Sequence, residues 1–355
     1  MKEEILSTIA YFNFFNYPPT IEEIYFFLKK RTTKKKVTEN LIELLQRKKI
    51  EKIRDFNNII RFKLGFSYRY TIEEYGIKSI NKNKRLKIKT YNERYFFSRK
   101  KLLNWRFRFY IKLLSFVPHI KLVGLSGSLS MMNASLEDDI DLFIITEKNR
   151  LFTGRFVAII LAKILGIHRS YNKRYKLNVA CYSDKVCLNL FFDESDLAVP
   201  DFKRNEYVAH EILQMKPIVN KDSVYERFLA ANSWVFGIFP NAKENEKFKI
   251  NPRIWRVKSK FKIKNFLSNF KFLTVVLRFA FYIFNFLAFE VESMFKGFQM
   301  FFINKHRTTE IITNTQLWFH PNDFYKRIHE LTKKKDELTR IKTDKKRKNK
   351  ASQKI

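Results

Sequence analysis

The chain has 355 residues, of which 45% are hydrophobic and 30% are charged, so it is long enough for two or three domains and too apolar to be disordered throughout. Eight glycines and eight prolines exclude a collagen-like or linker-dominated protein. Lys and Arg number 70 against 35 Asp and Glu, which gives a net charge of +35 and predicts an anionic partner such as nucleic acid, nucleotide phosphates or an acidic membrane face.

Two further features of the composition limit these interpretations. The chain contains 38 Phe and 16 Tyr, and codon usage rich in A and T, which favours Phe, Tyr and Lys together, would raise the Lys content without selection for binding. Cys181 and Cys187 are too few for a disulfide framework or a zinc site of their own. Because the first residues also lack the pattern of a secretory signal, we expect a cytoplasmic protein with reduced thiols.

Residues 1–65 predict three helices followed by a β-hairpin. Thr20 and Glu23 form the capping box of the second helix, and the turn Asp55–Asn58 has the composition of a hairpin tip. This order is similar to that of a winged-helix module, whose third helix enters a nucleic-acid groove. Residues 1–110 hold 27 basic and 11 acidic residues, which suits a nucleic-acid surface; a protein contact or a scaffold role is the alternative.

Residues 66–116 predict a helical connector in which basic and aromatic side chains are interleaved. Such a mixture can follow a phosphate backbone, although a helix with inward aromatics and solvated charges has the same composition. The side chains concerned are Arg94, Tyr95, Arg99, Lys100, Lys101, Trp105, Arg106 and Arg108.

The segment 121–146 has the clearest chemical pattern: an apolar strand, a turn at Gly127 and Ser128, one short helix, and a strand that begins with Asp139 and Asp141. Residues two apart in a strand point to one face, so these two carboxylates project together and repel each other unless a cation lies between them. Oxygen ligands of this kind suit Mg²⁺, which completes its shell with water and phosphate. The glycine permits close approach of a phosphate, and the helix start attracts an anion.

The pattern resembles the signature of the DNA polymerase beta-like nucleotidyltransferase superfamily, which is Gly-Ser, then about ten residues, then Asp-x-Asp on the next strand. The resemblance implies that Asp139 and Asp141 hold two Mg²⁺ ions on the triphosphate of an NTP, while Gly127 and Ser128 bind the departing phosphates. It also implies transfer of a nucleoside monophosphate to an acceptor, with metal stabilising the attacking and leaving oxygens. From the residues alone, a surface loop and an acidic strand edge that bind Ca²⁺ or no ion are the alternative.

In that superfamily a later strand usually supplies a third carboxylate, and here the sequence departs from the pattern. We predict later strands at 177–182 and 185–192, and the polar residue in the middle of the second is Asn189. An amide oxygen can bind a metal but is a poor base, whereas Asp193 has the parity of Asn189 and lies at the end of the strand. Either Asp193 completes the site, or Asn189 marks a site that binds nucleotide and transfers poorly.

Helices are predicted both before and after these two strands. Arg150 and Arg155 flank the start of a helix over 151–165, where they either reach a triphosphate or lie in water. Helix is also predicted within 205–235, in one stretch before Lys216 and Pro217 and a second over 224–235. His210 and Glu211 in the first stretch are either a site pair or, as is more common for a single histidine on a helix, structural.

An apolar run at 272–289 is interrupted by Arg278 and Asn285. Its length is at the lower limit for a membrane span, and a central arginine disfavours insertion. We favour a buried helix; a membrane-associated helix is the alternative, because the basic segment 258–271 precedes it.

The predicted fold is α/β (α+β), and its parts are a winged-helix-like domain at 1–65, the helical connector at 66–116, a nucleotidyltransferase domain with a mixed sheet and helices at 117–200, a helical C-terminal region at 201–330 and a basic disordered tail at 331–355. From residue 326 onward the chain has 13 basic and 4 acidic residues, so the tail either adds nonspecific affinity for nucleic acid or stays solvated. The favoured function is Mg²⁺-dependent nucleotidyl transfer from an NTP to an unidentified acceptor. The alternatives are a non-catalytic nucleic-acid-binding regulator with a degenerate transferase fold and a membrane-associated protein anchored by 272–289.

Overall fold

The computed structural model describes residues 1–65, 84–169, 183–243, 288–305 and 310–319. Its helices are α1 (Lys2–Phe14), α2 (Ile21–Phe26), α3 (Lys34–Gln46), α4 (Lys84–Leu103), α5 (Trp105–Phe116), α6 (Gly127–Ser130), α7 (Leu151–Ile164), α8 (Glu206–Gln214), α9 (Val224–Ala231), α10 (Val235–Ile238) and α11 (Ala288–Asn304). Its strands are β1 (Ile50–Arg54), β2 (Ile60–Leu64), β3 (Ile120–Leu125), β4 (Ile140–Thr146), β5 (Val186–Asp193), β6 (Lys216–Asn220), β7 (Ile311–Ile312) and β8 (Gln316–Trp318). The predicted strand at 177–182, nearly all of the apolar run 272–289 and the tail lie outside the described residues.

The first 65 residues form three helices and an antiparallel β1–β2 hairpin, in the order that the sequence predicts. The predicted capping box is present at α2, where the side chain of Thr20 accepts from the N–H of Glu23 at 3.2 Å and the Glu23 carboxylate accepts from the N–H of Thr20 at 2.7 Å. Apolar side chains of all five elements form a hydrophobic core for this part of the chain, including Ile5, Leu6, Ile24, Leu41, Ile50 and Phe62.

A buried arginine fixes the hairpin to the helices. The Arg61 guanidinium donates to the Asp55 carboxylate at 2.7 Å and to the carbonyl oxygen of Pro18 at 3.0 Å. It also lies over the Tyr91 ring, 4.5 Å from the centroid. Since Tyr91 belongs to α4, this contact joins the N-terminal module to the rest of the chain.

The central element is a six-stranded mixed sheet in the order β6-β3-β4-β5-β8-β7. β4 and β5 are parallel and are connected through α7, while the other neighbouring pairs are antiparallel. The predicted α/β class with a mixed sheet is therefore confirmed.

Both faces of the sheet are covered, which explains the uninterrupted apolar run in β4. Leu142 and Ile144 pack into one core with α5, α7 and Phe295 of α11. Phe143 and Ile145 point to the other face, where α8, α9 and the aromatic residues of the N-terminal module form a second core. Strands buried on both faces have continuous rather than alternating hydrophobicity.

The structure differs from the expected helical C-terminal region at 201–330, because this region also contributes β6, β7 and β8 to the sheet. Within 205–235 the two predicted helical stretches contain α8 and α9, and the segment that begins at Lys216 and Pro217 forms strand β6. Pro217 explains part of the difference, since proline disrupts the interior of a helix. Burial alternates along β6, with Pro217 and Val219 inward, as expected for a strand. Within the described ranges, no helix combines the length and apolar character that crossing a bilayer requires.

Candidate functional site

The residues of the predicted site meet at one edge of the sheet. β3 and β4 are antiparallel, so the end of β3 lies beside the start of β4, and Leu125 pairs with Leu142. β4 and β5 are parallel, with Asp141 opposite Cys187. The turn after β3 and the first residues of β4 and β5 therefore lie together.

Gly127 forms a turn that only a glycine accommodates without strain. Its φ is +61°, and a Cβ atom at this position would lie 2.5 Å from Oδ2 of Asp141. A left-handed backbone is unfavourable for residues with a side chain, and a carbon atom so close to a carboxylate oxygen would displace it. The glycine thus allows the Asp141 carboxylate to lie directly against the backbone of the turn.

The loop after this turn is organised by Asp138. Its carboxylate accepts from the Ser128 hydroxyl at 3.0 Å, the Ser135 N–H at 2.9 Å and the Ser135 hydroxyl at 2.6 Å. Burial acts to raise the pKa of Asp138, but the hydrogen bonds from Ser135 and Ser128 bring it below its ordinary value. The Ser128 hydroxyl therefore holds the loop in place, and α6 is only a single short turn.

Lys101 supports the same loop from α4. Its ammonium group is almost fully buried and donates to the carbonyl oxygens of Leu136 and Asp138 at 2.9 and 2.8 Å and to the Asp184 carboxylate at 3.0 Å. The predicted connector thus contributes to the structure of the site.

The side chains of Asp139, Asp141 and Cys187 form the candidate metal centre. One ligand atom from each lies within 4.8 Å of the others. Burial, with the nearby carboxylates of Asp139 and Glu211, raises the pKa of Asp141 from 3.8 to about 8. Burial likewise raises the pKa of the Cys187 thiol, and both aspartates add to this effect. The arrangement therefore disfavours full ionisation in the absence of a cation.

A guanidinium group lies beside these carboxylates. Arg169, five residues after the end of α7, donates to Oδ2 of Asp139 and, at 3.4 Å, to the sulfur of Cys187. Arg155, expected either to reach a triphosphate or to lie in water, does neither, because its side chain donates to Gln299 at 2.6 Å and lies over the Phe319 ring. Arg169 is thus beside the carboxylates, and Arg155 is not.

The hypothesis that Asp193 is the third metal ligand is wrong. In the β4–β5 register, Asp193 pairs with Thr146, whereas Cys187 pairs with Asp141, and six residues of strand span about 20 Å. The buried Asp193 carboxylate instead accepts from the N–H groups of Asn149 and Ser195 at 2.6 and 2.8 Å. Its role is to hold the loop that leads into α7.

Asn189 lies nearer to the site than Asp193, and its side chain contacts Cys187. Its amide donates to the sulfur of Cys187 at 2.5 Å. A bulge in β5 accompanies this contact, since Asp141 pairs with Cys187 and Phe143 pairs with Leu190. The residue of β5 that faces the aspartates is therefore Cys187.

Glu211 is the site residue that sequence analysis treated only as half of a possible pair with His210. Its carboxylate accepts from the N–H of Gly127 at 3.4 Å and from Tyr207, and burial raises its pKa. The available signal was an acidic residue within the buried run Ala209–Leu213 of α8.

His210 itself is structural. Its ring is fully enclosed and stacks between Tyr11 and Phe27, with centroid distances of 3.9 and 4.4 Å, and burial holds its pKa well below the ordinary value. A neutral imidazole in this position joins α8 to the N-terminal module.

The fold defines a mixed α/β protein whose sheet edge presents a tight glycine turn, two adjacent carboxylates and a thiol. Comparison of the chain with protein-family models, curated proteins and solved structures produced no match.

Proposed function

We propose that this chain is a divalent-metal-dependent nucleotidyltransferase that transfers a nucleoside monophosphate from an NTP to an acceptor. The observation that supports this most directly is the contact of Asp141 with the Gly127 turn, with Asp139 on the same strand edge. A phosphate can approach a backbone that has no side chain, and a cation on the two carboxylates would neutralise its charge at that point.

The donor set fits a hard divalent cation. The Asp139 carboxylate helps to raise the pKa of Asp141, so a cation bound between the two carboxylates would relieve their repulsion, and Asp139 and Asp141 would hold it. The thiol of Cys187 is a poor ligand for Mg²⁺. Opposite Asp141, β5 thus presents a thiol in place of the carboxylate implied by the superfamily resemblance, so the two-ion arrangement requires a donor from elsewhere.

The chain's own residues would bind and orient the nucleotide. When bound, the metal supplies charge stabilisation for the phosphates. Asp138 and Lys101 hold the loop behind the Gly127 turn, and the Arg169 guanidinium has the fork geometry that binds phosphate oxygens in pairs. Movement of this guanidinium from Asp139 to a phosphate would leave Asp139 free for the metal.

We also propose that residues 1–65 are a winged-helix module that binds nucleic acid. The element order and the exposed Lys35 and Lys36 at the start of α3 support this. The module is also fixed to the transferase part, since the Asn241 side chain accepts from the N–H of Thr32 at 3.0 Å and donates to the Lys30 carbonyl at 3.0 Å. A bound nucleic acid would therefore be held in a fixed orientation to the site.

The test is calorimetric titration of each of the four NTPs in Mg²⁺ into the wild type, into Asp139→Ala/Asp141→Ala, and into Asp201→Ala as a matched surface control. Asp201 pairs with Arg204 on an exposed turn, so its loss should leave binding unchanged. We expect Mg²⁺-dependent binding of at least one NTP to the wild type and the control but not to the double variant, and release of pyrophosphate by the same two proteins once an acceptor is supplied. Lack of binding by the wild type would refute the transferase proposal, and salt-dependent DNA binding that survives the double substitution would then favour the regulator.

A further inference from the structure

We infer that Glu211 supplies the third carboxylate of the metal-binding set, in place of the strand residue that is Cys187 here. This inference rests on the proposed function, because it assigns a ligand to the same metal. It differs from the superfamily expectation in that the carboxylate comes from α8 and not from β5.

The geometry places Glu211 within reach of an ion held by Asp141. Oε2 of Glu211 is 3.4 Å from the Gly127 nitrogen, and Oδ2 of Asp141 is 2.5 Å from the position of a Cβ atom on the same residue. Since N and Cβ of one residue are about 2.5 Å apart, the two carboxylate oxygens are at most about 8.4 Å apart. Glu211 lies outside the group of ligand atoms within 4.8 Å of one another that Asp139, Asp141 and Cys187 form. A metal-bound water can bridge this gap while the Glu211 carboxylate stays hydrogen-bonded to Gly127 and Tyr207.

The charge around Glu211 favours a cation. The hydrogen bonds described for its carboxylate come from the Gly127 N–H and the Tyr207 hydroxyl, and neither donor has a positive charge. Glu211 also acts on Asp141 electrostatically. Half-buried carboxylates close to one another are unfavourable unless positive charge compensates them. The Arg169 guanidinium supplies part of that charge beside Asp139 and Asp141, and an ion shared by Asp141 and Glu211 would supply the rest.

The fold fixes the position of Glu211 relative to the aspartates. α8 continues through Met215 into β6, and β6 pairs with β3, with Lys216 opposite Leu125. The Met215 side chain occupies the space beside Gly124, where a Cβ atom would collide with it. Tyr207 lies one turn before Glu211 on the same helix face and holds its carboxylate. The position of Glu211 is therefore fixed, through β6, relative to β3, the strand that leads into the Gly127 turn.

The test measures binding of Mn²⁺ alone, by calorimetry and by the loss of the free Mn²⁺ EPR signal, in the full-length chain. Glu211→Gln keeps an oxygen that can accept from Gly127 and Tyr207 but removes the charge, and we expect it to raise the Mn²⁺ Kd at least tenfold. Glu211→Asp, which keeps the charge on a shorter side chain, should recover part of this loss. Glu206→Gln is the matched control on the same helix, because its carboxylate pairs with Lys29, and its Kd should stay within twofold of wild type.

Tyr207→Phe gives a second variant that retains the carboxylate and loses the hydroxyl that holds it, so we expect an intermediate rise of the Mn²⁺ Kd. If Glu211→Gln does not fold, the Mn²⁺ Kd of Tyr207→Phe tests the inference in its place. A Kd within twofold of wild type in every folded variant of Glu211 and Tyr207, or tighter binding, would overturn the inference while leaving the proposed function intact. Absence of Mn²⁺ binding by the wild type would overturn both.

Discussion

Replacement of Gly127 by alanine tests whether the close contact between backbone and carboxylate creates the metal site. The substitution forces a residue with a side chain into φ +61°, at a cost of about 1–2 kcal/mol. The new Cβ atom would lie 2.5 Å from Oδ2 of Asp141, so this oxygen must move about 0.9 Å away to reach the ordinary contact distance of 3.4 Å. Metal sites tolerate ligand displacements of about 0.2 Å, so we expect the Mn²⁺ Kd to rise at least tenfold, equivalent to about 1.4 kcal/mol.

Gly166→Ala is the matched control, because Gly166 also has a positive φ, of +66°, but a Cβ atom there would meet only an Arg106 nitrogen at 3.9 Å. Urea unfolding should show a similar backbone cost of about 1–2 kcal/mol in both variants, whereas calorimetry should show weaker Mn²⁺ binding in Gly127→Ala alone. If Gly127→Ala binds Mn²⁺ as the wild type does, the close contact is not needed for the site and the reasoning fails.

Three other predictions follow from the same region. In EDTA, the stability contributed by Asp141 is fully present below pH 3.8 and is lost as the pH rises toward its folded-state pKa of about 8. Urea unfolding of Asp141→Asn from pH 4 to 9 should therefore show a flatter pH dependence than the wild type. Parallel profiles would contradict the assignment of this pH dependence to Asp141. Cys187→Asp should lower the Mg²⁺ Kd at least tenfold in calorimetry, because it adds a hard ligand opposite Asp141, while Cys187→Ser should bring no such gain; equal affinities would show that β5 does not face the ion. Lys101→Met should reduce the free energy of unfolding by about 3 kcal/mol, because two carbonyl oxygens lose a buried charged donor, and a loss below 1 kcal/mol in urea unfolding would count against this role.

The parts of the site that could be predicted from sequence are those set by neighbouring residues. The two-residue spacing of Asp139 and Asp141 determines that they project together, and their contact with the turn follows from an antiparallel β3–β4 pair. The choice between Asp193 and Asn189 stayed open because parity along a strand does not show which end faces the site. The helix between β4 and β5 indicates a parallel pair, which places the start of β5, and hence Cys187, beside Asp141.

Residues brought to the site over long distances in sequence were not predictable in this way. Glu211 reaches Gly127 because β6 pairs with β3, and the sequence indicated only a break between two helices at Lys216 and Pro217, not a strand. The burial of His210 against Tyr11 and Phe27 likewise depends on how the N-terminal module packs on α8, which hydrophobic periodicity within a segment does not specify.

The sheet order also has a consequence for biosynthesis. One edge of β5 pairs with β8, which lies more than 120 residues later in the sequence. At a synthesis rate of about 5–20 residues per second, this interval leaves the β5 edge, with Phe191 and Phe192 beside it, without its partner for about 6–25 seconds. An open apolar edge invites pairing with other chains, so we expect nascent chains that stop short of residue 316 to aggregate or to require a chaperone.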